Sequence, residues 1–147
     1  MKIMLESLLN RGSMPVLQQV MSFTEARQEV LVNNITNFDT VGYKMKDLSP
    51  AEFGQALDQA IECRNQGGVA ARLQMRSTKN LSWDSQGRLT AKPAEIENSN
   101  ILFHDRNNRF VEKQMAAMSQ NAMLHNMAAE LLRNQYQMLE MAIRGRS

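Results

Sequence analysis

VNNITNFDTVGYKMK, residues 32–46, decides how the chain is read, because a helical pattern runs here into three asparagines and then a glycine turn. Asn33, Asn34 and Asn37 can each hydrogen-bond backbone groups close by, which makes asparagine a poor helix-interior residue and a good terminator. Asp39, Thr40, Val41 and Gly42 must then turn the chain, and only glycine adopts a positive φ there at no steric cost. Tyr43 follows as an anchor whose ring can bury while its hydroxyl stays wet.

Upstream, Ser13 and Pro15 form a helix start. From Val16 to about Ile35 the residues Leu17, Val20, Met21, Thr24, Leu31 and Ile35 follow helical spacing, widened by Phe23 and Val30. The stretch Met1 to Leu9 reads as a short apolar leader, closed by Arg11 and Gly12. It carries a charge at Glu6, too short an apolar run and no small-residue cleavage pattern, so it is neither a signal peptide nor a membrane span.

The far end of the chain repeats the helical signal at greater length. Steps of four and three from Val111 give Met115, Met118, Ala122, His125, Ala129, Leu132, Tyr136, Leu139 and Ile143, of which only His125 is clearly polar. An apolar period of about 3.5 residues is that of a helix supercoiling against a partner, here about 50 Å long at ~1.5 Å per residue. A second apolar row, Leu124, Met127, Leu131, Met138 and Met141, lies beside the first. One partner helix covers one seam, so this second row needs another cover. The twelve methionines suit either a core or a surface that meets several partners.

Between the two helices, Ser49, Pro50, Ala51 and Glu52 make a capping box with proline at the first helical position. Phe53, Leu57, Ala60 and Ile61 supply the stripe of that second helix, and Gly67 with Gly68 ends it. Leu81 to Trp83 and Arg88 to Thr90 flank a turn at Asp84 to Gly87, a weak hairpin that Pro93 stops. Asn107 or Asn108 is expected to cap the last helix, with Glu112 favourable to its dipole.

Composition narrows the function classes. At 147 residues the chain is one modest domain or one elongated helical unit. A net charge of +2, with basic residues interleaved between acids, gives no footprint for nucleic acid. The single cysteine, Cys63, cannot form an internal disulfide and has no metal-ligand spacing with His104 or His125. His104 beside Asp105 is the only adjacent acid/base pair, and no nucleophile or phosphate-binding glycine loop accompanies it. No catalytic residue, cofactor or metal is expected, and the chain is read as not an enzyme.

The Asn-rich helix end with its Gly-Tyr turn closely resembles the N-terminal motif of bacterial flagellar axial proteins. Leu31, Val32, Asn33, Asn34, Ile35, Thr36 and Asn37, then Asp39, Thr40, Val41, Gly42, Tyr43 and Lys44, carry it. Val32 and Thr36 replace small alanines, and Val41 stands where the family has a proline, which loosens the turn. The resemblance spans nearly the whole chain, is strongest at residues 24–47 and 107–143, and is closest to the basal-body rod proteins of the proximal type.

That likeness implies a mainly α fold in which N- and C-terminal helices pair as an α-helical coiled coil around a small irregular or β-containing middle segment. It divides the 147 residues, one rod-protein unit, into an N-terminal helix with its turn (13–47), a second helix (48–68), a variable middle (69–106) and a C-terminal heptad helix (107–147). It implies a structural subunit of the proximal rod, exported uncleaved through the flagellar export apparatus to the periplasmic basal body. Expected partners are copies of itself, other rod proteins and rotor-ring adaptor proteins, with no nucleic acid and no direct membrane span. Asn33, Asn34, Ile35, Asn37, Gly42 and Tyr43 would shape the turn. Leu17, Met21, Leu31 and Ile35 would pair with Val111, Met115, Met118, Ala122, Leu132, Tyr136, Leu139 and Ile143, leaving Leu124, Leu131 and Met138 for neighbouring subunits. The same amphipathic helices would also serve a soluble helical-bundle adaptor or a type III export chaperone.

Overall fold

The computed structural model describes residues 12–67, 71–96 and 106–145. The leader at 1–9, Gly68 and the pair His104 and Asp105 lie outside the described residues. In chain order the elements are α1 (Met14–Thr36), β1 (Lys46–Asp47), α2 (Pro50–Gln66), β2 (Leu81–Trp83), β3 (Leu89–Ala91), β4 (Ala94–Glu95) and α3 (Arg106–Arg144). The chain is mainly helical with a small β-containing middle, and α1 packs along α3. Contacts run from Gln18 with Tyr136 at one end to Asn34 with Gln114 at the other, so the two helices are antiparallel.

Local chemistry explains where the elements begin and end. α1 starts after Ser13 with Pro15 in its first turn, where a missing N–H costs nothing, although the Ser13 side chain makes no capping bond. Its end is held by Asn37, whose backbone N–H and side-chain Nδ2 both donate to the Asn33 carbonyl, at 3.1 and 2.9 Å. At α2 the Ser49 hydroxyl accepts from the Glu52 N–H at 3.2 Å, the first half of a capping box. The second half is absent because the Glu52 carboxylate turns to the middle segment instead. The end of α2 is Gly67, whose N–H reaches the Cys63 carbonyl at 3.1 Å. α3 begins at Arg106, so Asn107 and Asn108 lie inside its first turn and neither is its cap.

β2 and β3 form an antiparallel hairpin in the register Leu81 with Ala91 and Trp83 with Leu89. β4 returns to pair with β1, placing Glu95 opposite Lys46 and Ala94 opposite Asp47. This second ladder lies directly after the Gly-Tyr turn and ties the middle of the chain to it. Lys44 Nζ reaches Glu95 Oε2 at 2.9 Å, and the Ile96 N–H donates to the Met45 carbonyl at 2.9 Å.

Among the described residues, the main hydrophobic cluster takes no side chain from α3. Phe23 of α1, Leu48, Phe53 of α2 and Leu81 of β2 are buried together, with Val20, Val30, Leu57, Met75 and Trp83 around them. Phe23 and Phe53 stack with ring centroids 4.3 Å apart and planes 9° from parallel. α1 therefore works with two faces, one closing the α2 and hairpin core and one meeting α3. Trp83 Nε1 donates to Gln19 Oε1 at 2.9 Å while Gln19 Nε2 donates to the Gly87 carbonyl at 3.0 Å, which fixes the hairpin on α1.

The Glu52 carboxylate fastens the loop before β2. It accepts from the Thr78 hydroxyl, from the Asn80 N–H at 3.1 Å and from Asn80 Nδ2 at 3.0 Å. The hydrogen bonds from Thr78 and Asn80 hold its pKa below the ordinary carboxylate value. A depressed carboxylate favours the fold above its unfolded pKa and loses that contribution as pH falls through the folded value. We predict that Glu52→Gln flattens the loss of thermal midpoint between about pH 5 and pH 3. Parallel melting curves across that window check it, and superimposable slopes for both proteins would contradict it.

Candidate assembly surface

The turn that opened the sequence reading is organised by one side chain. Asn34 is fully buried near the end of α1. Its Oδ1 accepts from the Lys46 N–H at 3.0 Å and from the Tyr43 hydroxyl at 3.1 Å. Its Nδ2 donates to the Lys46 carbonyl at 2.6 Å and to Gln114 Oε1 at 3.0 Å. A carboxamide that bonds both the N–H and the C=O of one residue imitates a neighbouring strand. Asn34 thus pins the outgoing chain against α1 and links both to α3.

Around that anchor the turn is exposed. Thr40 N donates to the Asn37 carbonyl at 3.0 Å and Tyr43 N to the Thr40 carbonyl at 3.1 Å. Phe38 and Val41 face solvent at its tip. Gly42 has φ +79°, with nothing within 4 Å of where a Cβ would stand. The requirement at Gly42 is conformational and not one of space. Gly42→Val should cost about 1–2 kcal/mol in the isolated chain, because a β-branched residue resists the left-handed region. Denaturant midpoints for Gly42→Val and Gly42→Asn test this, with asparagine expected to be the milder of the two. Equal losses would show that backbone strain is not the cause.

Beside the turn, Arg27 makes a two-pronged ion pair with Asp47, Nε to Oδ1 at 2.9 Å and a terminal guanidinium nitrogen to Oδ2 at 2.8 Å. Both side chains are partly buried, so the fork geometry keeps most of its strength. No spacing in the sequence announces this pair.

α3 presents itself differently from the apolar row read in its sequence. Val111, Met118, Leu132 and Leu139 are half-buried, as a row facing α1 requires. The alternate row is a correction. Met115, Tyr136 and Ile143 are 45–64% exposed, and the buried positions are Gln114, Asn121 and Ala128 instead. α1 supplies amides and a hydroxyl opposite those positions, so polar side chains pair inward where apolarity alone places methionine and tyrosine. Ala122 is half-buried beside them, and Tyr136 still touches α1, accepting weakly from Gln18 Nε2 at 3.5 Å. On α1, Leu31 is fully buried, while Leu17, Met21 and Ile35 are half-buried.

The second apolar row stands in solvent. Leu124, Met127, Leu131, Met138 and Met141 are each 45–57% exposed. Their spacing sets them along one flank of the buried row, Leu124 three residues on from Asn121 and Leu131 three on from Ala128. Between α1 and α3 lies a groove of about 410 Å³ whose walls include Glu25, Glu29, Val32, Ala122 and His125, and none of the five stripe residues lines it. Among the described residues, no group of three His, Cys, Asp or Glu side chains could hold a metal ion, and no helix is long and apolar enough to cross a membrane.

No family model, curated protein or solved structure matches the chain.

Proposed function

We propose that the chain is a structural, non-enzymatic subunit of a bacterial flagellar basal-body rod, of the proximal type, assembling through its terminal helices. The observation that carries the reading is the half-exposed apolar stripe Leu124, Met127, Leu131, Met138 and Met141 along one flank of α3. Fully burying such side chains is worth ~1.5–3 kcal/mol each, so covering the exposed half of five contributes roughly 4–8 kcal/mol. A lone protein that leaves that much unused has a surface suited to a partner. The resemblance of residues 31–44 to the axial-protein motif gives the partner's kind, and the bonds of Asn34 give the motif a physical task.

In this reading α1 and α3 form the antiparallel helical pair of a rod protein, with the coiled-coil geometry expected of the family. Repeated head-to-tail contacts whose rotation does not close would build a helical tube, and torque would pass through many apolar contacts. Copies of the chain and adjacent rod and rotor-ring adaptor proteins would cover the stripe, after uncleaved export to the periplasm. Deleting the gene in its host should abolish rods, hooks and swimming, with recovery on complementation. Intact rods in the deletion strain would overturn the proposal. The groove between α1 and α3 favours a second reading, a helical adaptor or export chaperone that holds another protein's helix. A closed complex of fixed mass, in place of an open assembly, would select it.

A further inference from the structure

α3 sets a largely polar row toward α1, flanked by the half-buried Val111, Met118, Leu132 and Leu139. Gln114, Asn121 and Ala128 are buried, while the stripe from Leu124 to Met141 stays half exposed. Hydrophobicity alone does not select this rotation, because turning the stripe inward would bury it at the expense of the half-buried Val111, Met118, Leu132 and Leu139. What distinguishes the observed rotation is a set of directional polar pairs.

Asn121 Nδ2 donates to the Thr24 carbonyl at 2.8 Å and to Gln28 Oε1 at 3.0 Å. Gln114 Oε1 accepts from Asn34 Nδ2 at 3.0 Å. His125 Nδ1 lies 2.9 Å from Thr24 Oγ1. Thr24 Oγ1 also lies 2.9 Å from the Met21 carbonyl, and which partner donates in the pair with His125 is set by the imidazole tautomer. α3 therefore donates at 121 and accepts at 114, while α1 accepts at 24 and 28 and donates at 34. A slip of one heptad would set Ala128, which has nothing to donate, in the place of Asn121. Asn121 Oδ1 is buried with no hydrogen-bond partner among the described residues. An orphaned acceptor weakens the pairing, the known cost of a polar residue retained to specify register.

We propose that Asn121 and Gln114 are positioning residues that fix the rotation of α3 and so hold its apolar stripe outward. The inference concerns the isolated chain and does not depend on what the stripe meets.

Asn121→Asp tests it, because the change keeps the shape but turns a donor into a carboxylate facing two acceptors. The readout is oxidation of Met127, Met138 and Met141 by brief peroxide exposure of the full-length monomer, resolved by mass spectrometry. Buried Met14 is the internal reference and circular dichroism monitors helix content. In the wild type the three stripe methionines should oxidise far faster than Met14. In the variant their rates should fall by roughly threefold or more, since burial limits access of oxidant to the thioether, with Met14 still slow. Unchanged stripe rates with helix retained would overturn the proposal. So would loss of helix with Met14 now reactive, which would mean that Asn121 only holds the fold together. Asn121→Ala removes the donor without adding charge and should shift the same three sites in the same direction; stripe rates unchanged in that variant would also overturn the proposal.

Discussion

Asn34→Ala should lower the stability of the chain by about 3–4 kcal/mol, close to the upper range for a single polar deletion. Asn34 is fully buried and engages Lys46 N, Lys46 O, Tyr43 and Gln114 at once, so the substitution strips partners from the N–H and the C=O of one residue and from two side chains. Each polar group left buried without a partner costs about 1–3 kcal/mol, and part of that is recovered where water can enter beside the half-buried Tyr43. For a chain of this length the thermal midpoint should fall by roughly 10 °C. Asn34→Asp separates the roles: it keeps an acceptor for Lys46 N and Tyr43 and loses the donor to Lys46 O. The aspartate variant should retain the turn and still melt well below wild type. A loss under about 1 kcal/mol for Asn34→Ala would mean that the turn holds by its own backbone bonds.

The second large effect should fall on association and leave folding untouched. Leu124→Lys, Leu131→Lys and Met138→Lys together replace three half-exposed apolar side chains on one flank of α3. None belongs to the core around Phe23 and Phe53, so the thermal midpoint should move by no more than surface substitutions ordinarily do. If the stripe is covered in an assembly, the same three changes remove apolar burial and insert three like charges at one contact. Association should weaken by at least about 4 kcal/mol, on the order of a thousandfold, measured as incorporation into basal bodies against wild-type chain. Arg133→Glu, on the polar side of the same helix, serves as the control and should incorporate nearly normally. Equal incorporation of the triple variant would remove the stripe from the account.

The elements that were legible in the sequence are those set by local chemistry. Pro15 and the Ser49–Pro50 pair fix helix starts because a proline N–H is superfluous there. The hairpin from Leu81 to Ala91 follows from β-favouring residues around a turn that ends in Gly87. Asn34 stood out because asparagine at the end of an apolar helix asks for a reason, although its link to Gln114 lies 80 residues away and no local pattern reveals it.

The parts that were not legible depend on pairing at a distance. Part of the row expected to face α1 is exposed, at Met115, Tyr136 and Ile143, because apolar periodicity ranks Met115 and Tyr136 above Gln114 and Asn121. It cannot register that Thr24, Gln28 and Asn34 offer complementary hydrogen bonds across the gap. Helical spacing places Phe23 beside the apolar face of α1 but does not reveal that its ring stacks on Phe53 in a core of its own. The ladder of β1 with β4 has two residues on each side, too few for any alternation to appear.

The most direct measurement places a single reactive thiol at Leu131. In a Cys63→Ser background, Leu131→Cys should react freely with a maleimide in the purified monomer, since Leu131 is 47% exposed. In basal bodies isolated from cells carrying the same variant, the account predicts that the chain is present in the rod fraction and that the thiol is protected until the rod is dissociated. Absence of the chain from that fraction, or labelling as fast as in the monomer, would contradict it.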